Sequence, residues 1–399
     1  MAMRLEPVAR VADAPARGHA VLRASSAERG AEAALGEIGR AFGDVPLALA
    51  MLFVSARHDR EAVAAAAERA LPGVTVIGAT TAGEIGPEGY QDGTIVALGF
   101  PSRDFACTVR LIRPLSGYSL EAGAAIAGGL LAARGAGRAA DWPHDFVLML
   151  VDGLSRREDA LVASLAPALG PVPLVGGSAG DGLDFGASFV LAEGAFHADA
   201  AVLAHLRSRC PVRTLRIDHF EPTDKRMVVT GADPAERVVT EINAEPAARE
   251  YARLIGLDRE RLSPFVFAEN PLLVRVSGHC HVRAIQQAEP DDRLRFYSAI
   301  DEGLVLTLAR AEDIVEHLDG ALSALSAEGC PDLVLAFDCV LRRLEVEKKQ
   351  ARGRMSMVLR RHGLHGFNTY GEQYGAMHVN QTLTGVAIYP APGDAPADG

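Results

Sequence analysis

The chain has 399 residues, of which 49% are hydrophobic and 23% are charged, a composition typical of soluble globular proteins and long enough for two domains. Its formal net charge of −11 argues against nucleic acid or an anionic membrane as the main partner. The five scattered cysteines predict free thiols in a reducing compartment rather than a disulfide framework. Because the first residues lack the apolar core of a secretory signal and no stretch of about 18 apolar residues occurs, we expect a cytoplasmic protein without a membrane span.

Two strand–helix–strand patterns follow an N-terminal extension that we place at residues 1–40. Residues 47–86 begin with an apolar strand, continue through an Ala-rich helix, and end in the strand VTVIG and a Gly-rich turn. Residues 145–182 repeat the same order. Because continuous apolar strands suit a sheet that is covered on both faces, the patterns predict parallel crossovers in an α/β domain at residues 41–240.

The remaining folded part, residues 241–389, is predicted to be a mixed α+β domain with a β-meander. An alternating segment ends near Glu241, where we place the boundary, and an amphipathic helix follows it. Residues 271–310 then show four short strands separated by turn sequences. The apolar strand DLVLAFDCV and a charged helix lead into a third strand–helix–strand unit. The Pro- and Ala-rich residues 390–399 are predicted to be a disordered tail.

Each of the three units ends in a turn with a hydroxyl residue, a spacer, a glycine and an acid. The copies are Thr81-Ala82-Gly83-Glu84, Ser178-Ala179-Gly180-Asp181 and Thr369-Tyr370-Gly371-Glu372. One interpretation is turn chemistry, in which glycine supplies a positive φ and the polar side chains bond the backbone. The other is that three such loops at strand ends line a pocket.

Two isolated residues raise the question of catalysis. Ser178 lies in a G-x-S-x-G sequence, the pattern of a nucleophile elbow, but the residues after it predict a loop and a strand rather than the helix that such an elbow requires. Cys339 lies in an apolar strand without a base at a useful spacing, so we interpret it as a buried hydrophobe. Walker A, dinucleotide-binding and HExxH patterns do not occur.

His378 stands in the segment YGAMHVN, between the third turn and an apolar strand. It is either a structural histidine bonded to its surroundings or an axial ligand, since one neutral imidazole in an apolar pocket can hold haem iron. The residues alone do not separate these alternatives.

Four segments of the chain resemble, in order, the FIST family, whose members carry a FIST N and a FIST C domain in tandem. They are VIGATTAGEIGPEGYQDGTIVALGF, FVLMLVDGLSRREDAL, VPLVGGSAGDG and GFNTYGEQYGAMHVNQTLTGVAIY. The resemblance covers roughly residues 45–388. Within the family, the ending NTYGEQYGAMHVNQT resembles the bacterial NosP proteins, which are haem-binding nitric oxide sensors that regulate histidine kinases and cyclic-di-GMP signalling.

This resemblance implies a sensor with no turnover chemistry, a haem b whose iron is held by His378, nitric oxide as ligand, and a histidine kinase or cyclic-di-GMP enzyme as partner. His281 and His205 compete with His378 for the iron. From nearness in sequence and expected packing, we expect a haem wall and a propionate contact from these residues: Met377, Tyr374 and Tyr370 for the wall, and Arg342 or Arg343 for the propionate.

Two other functions stay open at this point. A haem-free sensory protein could hold an amino acid or a similar metabolite in a pocket lined by the three turns, and a serine esterase could use Ser178. Whether the chain forms a homo-oligomer is also left open by its sequence.

Overall fold

The structure is a computed structural model, and it describes residues 19–132, 137–276 and 279–391. Of the predicted extension and tail, residues 1–18 and 392–399 lie outside the described residues. The predicted mixed α/β class is confirmed, because helices pack on mostly antiparallel sheets, and three of the four sheets formed by the described residues each contain a parallel pair. No helix within the described ranges is long and apolar enough to cross a membrane.

The first unit is a sheet of apolar strands with two helices on its outer face. A crossover helix joins two parallel strands in it, and Asp59 caps that helix by accepting from the Ala62 N–H (3.0 Å). The elements are β1 (Leu22–Ser26), α1 (Ala31–Phe42), β2 (Leu47–Ser55), α2 (Arg60–Ala70), β3 (Val76–Thr81), β4 (Glu84–Gly86), β5 (Gly89–Gln91) and β6 (Ile95–Pro101).

The second unit repeats this order of elements. Its crossover helix again joins two parallel strands, and the last strand returns antiparallel beside the first of them. The elements are β7 (Phe105–Ile112), α3 (Ala122–Leu131), β8 (His144–Val151), α4 (Glu158–Leu169), β9 (Leu174–Ser178), β10 (Val190–Ala192), β11 (Ala195–His197) and β12 (Ala201–Ser208).

The third unit starts with β13 (Val212–Ile217) and is then interrupted by a separate domain, the insertion, at residues 220–311. The strands of the insertion form one sheet in the order β18-β17-β21-β14-β15-β20-β19, with β16 beside β15. Its elements are β14 (Phe220–Asp233), β15 (Val238–Ile242), β16 (Glu245–Pro246), α5 (Ala247–Ile255), α6 (Pro264–Glu269), β17 (Leu272–Val276), β18 (His279–Arg283), β19 (Ile285–Ala288), β20 (Leu294–Phe296) and β21 (Val305–Ala311).

After the insertion the chain completes the third unit. The elements are α7 (Ile314–Leu325), β22 (Leu333–Cys339), α8 (Val340–Lys348), α9 (Arg352–Arg361), β23 (Leu364–Thr369), β24 (Glu372–Tyr374), β25 (Met377–Val379) and β26 (Leu383–Ile388). Because β13 pairs with β26, the third sheet contains chain from before and after the insertion. Glu241, the predicted boundary, lies inside β15. The predicted strands of the meander are present, but β21 pairs with β14 and β17 rather than with β20, so their order differs from a meander.

Each unit gives its short hairpin to the sheet of another unit. Hairpin β4–β5 pairs with β23 of the third unit, β10–β11 with β3 of the first, and β24–β25 with β9 of the second. The exchange is cyclic, so the three sheets interlock. Their inner faces share one apolar core, in which the rings of Phe53 and Phe367 lie 4.9 Å apart. The outer faces pack on the helices of their own units.

Candidate functional site

The three predicted turns meet at the carboxyl ends of the central parallel strands. Backbone bonds join the first to the third (Asn368 N–H to Gly83 O, 2.7 Å), the third to the second (Ser178 N–H to Gly371 O, 2.8 Å) and the second to the first (Gly180 N–H to Thr80 O, 3.0 Å). The carboxyl ends of parallel strands are the usual place for ligand sites in α/β folds. The turns therefore converge, as the pocket interpretation requires. In two of them, hydrogen bonds within the same unit also satisfy the acid of the turn, and we call these turns closed.

In the first turn, Thr81 donates to one carboxyl oxygen of Glu84, and the other oxygen accepts from the Thr94 N–H (3.0 Å) and hydroxyl (2.9 Å). Burial raises the pKa of Glu84. All hydrogen-bonding needs of this carboxyl are met inside the protein, so the first turn is structural.

The third turn has the same closed arrangement. Thr369 donates to Glu372, whose second oxygen accepts from the Thr382 N–H (3.2 Å) and hydroxyl (2.7 Å). Burial raises the pKa of Glu372 to about 8. The acid of this turn thus fixes the start of β26 rather than facing a pocket.

The second turn departs from this arrangement. Ala200 stands before β12 where the other units have threonine before β6 and β26, so Asp181 has no such partner. Its carboxylate instead accepts from the N–H groups of Gly186 (2.8 Å) and Ala187 (2.7 Å) and from the Tyr370 hydroxyl. Asp181 thus bonds to the loop that follows the turn. Ser178 does not bond to the acid of its own turn, and we call this turn open.

Ser178 and His378 are connected through one glutamine. Gln373 Nε2 donates to Ser178 Oγ (3.0 Å) and faces His378 Nδ1 at 3.3 Å, so Nδ1 is the acceptor and the ring carries its proton on Nε2. Burial lowers the pKa of His378, which keeps the imidazole neutral. A methyl group on Gly371 would lie 2.3 Å from His378 Cε1, so glycine is needed for the ring to fit.

Several polar atoms in this region are buried without a hydrogen-bond partner. Within the described part of the chain they are Gln373 Oε1, both amide atoms of Asn380, Gln381 Oε1 and Arg283 Nε. The Asn380 amide lies against Gly371, next to the His378 ring. An unsatisfied buried polar group costs about 1–3 kcal/mol, and native proteins keep few of them without a ligand or ordered water. The cluster defines the candidate site, which we name the interdomain site.

The insertion forms the opposite side of the interdomain site. Strand β18 packs against β25, and α4 packs against β25 from the second unit. Arg237 of the insertion binds Glu158 (2.9 Å) and Asp159 (3.1 Å) at the start of α4. Gln381 Nε2 donates to Ala268 O in α6 (2.7 Å). The insertion is therefore held to both neighbouring units at the edges of the site.

Aromatic side chains complete the wall on the side of the second turn. The rings of Phe185 and Tyr370 stack with centroids 4.6 Å apart, and Phe185 and Tyr297 lie 6.0 Å apart. These rings come from the second unit, the third unit and the insertion, so all three parts contribute to the site.

Two of the six residues predicted to hold haem lie at the interdomain site, namely His378 and Tyr370. Met377 pairs with Tyr374 across the hairpin, whereas His378 pairs with Gln373, so Met377 and Tyr374 point to the other face of the strands. Tyr374 packs against the central core. These two side chains do not line a cavity together with the histidine.

The two arginines predicted for a propionate are engaged elsewhere. Arg342 is buried and binds Asp338 (2.7 Å), and its Nη1 faces the ring of His219 (3.0 Å). Arg343 binds Asp92 through both carboxylate oxygens (2.7 Å each). The six residues therefore do not fit a haem pocket as a set, although His378 has the neutral imidazole that an axial ligand needs. The described residues contain no cluster of three or more His, Cys, Asp or Glu side chains that could hold a bare metal ion.

The competing histidines have protein partners. His205 Nε2 lies 3.1 Å from Asp145 Oδ2, and His281 Nδ1 lies 2.9 Å from Arg216 Nη1. His205 is in a strand of the second sheet, whereas His281 is on β18 near the interdomain site. Ser178 is followed by a turn and β10 rather than by a helix, as its sequence context predicts.

Sequence reasoning missed Arg283, Gln373 and Asn380. Arg283 ends a strand of alternating pattern, where an arginine is typical of a solvated face. A signal for Asn380 was present, because the polar residues from Asn380 onward immediately precede an apolar strand.

Two family models match the chain in tandem. The FIST N domain matches residues 48–245, and the FIST C domain matches residues 247–375, which ends before His378. A comparison with curated protein sequences found no match.

Proposed function

This chain belongs to the FIST family, with a FIST N domain followed by a FIST C domain, and from that premise we propose that it binds a small polar molecule in the interdomain site. FIST domains are sensory domains of signal transduction that bind small ligands. The proposal adds the place of binding and the chemical character of the ligand. In it the protein binds its ligand and does not turn it over.

The observation that carries the proposal is the group of unpartnered amide atoms on Gln373, Asn380 and Gln381. These side chains lie on β24 and the loop before β26, and their amides present oxygen acceptors and an N–H donor. A ligand with both donors and acceptors would satisfy them. The neutral His378 ring adds an Nε2–H donor beside them.

The same arrangement suggests how ligand binding could affect the contact with a partner protein. The insertion joins the third unit through two chain connections and is held beside the site by Arg237 and Ala268. A ligand bonded to both sides would hold the insertion more firmly. We propose that a histidine kinase or a cyclic-di-GMP enzyme in the cytoplasm binds the protein surface that includes the insertion in this ligand-bound state.

Replacing Asn380 separates ligand binding from stability. Asn380→Leu keeps the branched shape but removes both unsatisfied amide atoms, so we expect the free energy of unfolding to stay equal or to rise by about 1 kcal/mol. Binding of free amino acids, amino-acid amides and short carboxylic acids, measured by calorimetry, should fall about tenfold or more for any probe that binds the wild type.

Gln287→Leu, at an exposed position of β19, is the matched control and should leave binding unchanged. Loss of about 2 kcal/mol or more of stability in Asn380→Leu would show that the amide is satisfied in the folded protein. Unchanged binding would place the ligand elsewhere.

A second proposal is that His378 holds haem iron and that the protein senses nitric oxide, as the likeness to the NosP proteins implies. The buried neutral imidazole of His378 is the observation that favours it. Bound haem would supply an iron centre for nitric oxide. In a haemin titration, the wild type and the control His205→Ala should give the same Soret band and the same shift with nitric oxide, whereas His378→Ala should lose them. An unchanged band in His378→Ala would assign the iron to another residue, and loose binding without stoichiometry would contradict the proposal.

A further inference from the structure

The two chain connections between the third unit and the insertion are joined at His219. This residue directly precedes β14, and its carbonyl oxygen accepts from the N–H of Glu312, the residue after β21 (2.9 Å). We call His219 and Glu312 the hinge. The insertion has an apolar core of its own, so it can move as one body about such a pair of connections. The side chain of His219 is therefore placed where it can control this movement.

The side chain of His219 is buried against α8 and needs a neutral ring to make its contacts. Its Nε2 lies 2.9 Å from Glu345 Oε2, and its Nδ1 lies 3.0 Å from Arg342 Nη1. A guanidinium group is only a donor, so Nδ1 must be the acceptor, and Nε2–H donates to Glu345. On the side of the insertion, the ring of Phe220 lies 4.1 Å from the imidazole, centroid to centroid. A second proton, on Nδ1, would put donor against donor and cation against cation at 3.0 Å.

The charged groups around the His219 ring lie on α8, at its C-terminal end and at the end of β22. Arg342 also binds Asp338 (2.7 Å), and Glu345 also binds Lys349 (2.6 Å). Burial lowers the pKa of His219, and the charges of Arg342 and Lys349 lower it too, whereas Glu345 acts against them. The folded protein thus favours the neutral imidazole that the two hydrogen bonds require.

The hydrogen bonds of Arg342 extend from the hinge to the third turn. Its Nε donates to one carboxylate oxygen of Asp338, whose other oxygen accepts from Asn368 Nδ2 (3.2 Å). Asn368 directly precedes the third turn, and each of these three residues is at most 1% exposed. Arg342 Nη2 is already buried without a hydrogen-bond partner among the described residues. Loss of His219 as an acceptor would leave a second nitrogen of Arg342 unpaired, a cost that opening of the hinge to water would relieve.

We propose that the hinge is a proton-sensitive switch: neutral His219 holds the insertion against α8, and protonation of its Nδ1 releases the insertion. This switch does not rest on ligand binding at the interdomain site. Because the pKa of His219 in the folded protein lies below its ordinary value of 6.5, the stabilisation by this contact is complete above about pH 6.5 and is lost as the pH falls further. Acidification would thereby change the protein surface that includes the insertion.

Hydrogen–deuterium exchange of the full chain at about pH 7.5 and about pH 5 tests the switch, with rates corrected for the intrinsic effect of pH. In the wild type, we expect the amides at both ends of the insertion, in residues 217–222 and 309–315, to exchange about tenfold faster at the lower pH. The amides of β2 in the first unit are the internal reference and should not change.

Two variants and one control assign the effect to His219. His219→Gln and His219→Asn carry amides that do not titrate, so exchange at the hinge of these variants should be the same at both pH values. His58→Gln replaces a buried histidine of the first unit, and its hinge should respond to pH as the wild type does. Circular dichroism at both pH values checks that each variant is folded.

The wild type alone can overturn the proposal, since it fails if exchange at the hinge is the same at both pH values. A uniform increase that includes β2 would mean that acid loosens the whole fold, and it would also contradict a local switch. If a folded His219 variant kept the pH response of the wild type, another group would be responsible and the assignment to His219 would be wrong.

Discussion

The turn of the first unit and the turn of the second unit occupy equivalent places in one fold, yet one is closed and the other is open. In the first, Thr81 and Thr94 satisfy the carboxyl of Glu84 completely. In the second, Ala200 replaces the later threonine, and Ser178 bonds instead to a glutamine from the third unit. The difference shows how one replacement redirects the polar groups of a repeated element: Asp181 bonds within a longer loop, and Ser178 bonds to Gln373 at the interdomain site.

The largest effect should come from filling the glycine of a closed turn. In Gly83→Ala the new methyl group would lie 1.7 Å from Arg343 Nη1, at a φ of 135° that L residues avoid. We expect a loss of about 3 kcal/mol or more in the free energy of unfolding, from the clash and the backbone strain together. Chemical denaturation measures this loss.

The equivalent change in the open turn is the comparison. Gly180→Ala places its methyl group 3.0 Å from Tyr370 Cε1, which a small shift can relieve, so we expect a loss of about 1 kcal/mol. Similar losses in the two variants would contradict the distinction between closed and open turns.

The pH dependence of stability tests the closed third turn. Burial raises the pKa of Glu372 from the ordinary glutamate value of 4.5 to about 8, so the folded state favours the protonated acid. The contribution of Glu372 to the free energy of unfolding is fully present below about pH 4.5. It is lost as the pH rises through about 8, and the loss is about 2–4 kcal/mol. Glu372→Gln cannot ionise, so its free energy of unfolding should vary less between those pH values. If the stability of the wild type and of Glu372→Gln changed with pH in parallel, the raised pKa of Glu372 would be contradicted.

An effect smaller than that of Gly83→Ala is expected at the contact between the open turn and the third unit. Tyr370→Phe removes the hydroxyl that bonds Asp181, while the ring stacked on Phe185 stays. We expect a loss of about 1–2 kcal/mol, together with weaker binding of probes at the adjacent site. A variant as stable as the wild type would mean that water replaces the hydroxyl fully.

The sequence predicts the repeated units well because continuous apolar strands and the hydroxyl-x-Gly-acid turns are local patterns. It does not predict the exchange of hairpins, since β4, β10 and β24 have three residues each and pair with strands that are distant in the chain. The sequence does not reveal the insertion for the same reason, because β13 pairs with β26, which lies beyond the insertion in the chain.

The sequence predicts the central residues of the candidate site but not the residues around them. His378 and Tyr370 are where nearness in sequence places them, beside the third turn. Arg342 and Arg343 lie on α8. Arg342 binds Asp338, four residues before it, and Arg343 binds Asp92, which is distant in the chain. Arg283 comes from the insertion and could not be linked to the site from spacing along the chain.

The measurement that tests the central claim most directly is a crystal structure of the full chain with the probe that binds most tightly in the calorimetric series. We predict ligand density against the amides of Gln373 and Asn380, beside the ring of His378. Those amides bonded to protein atoms, with the probe bound elsewhere, would contradict the claim.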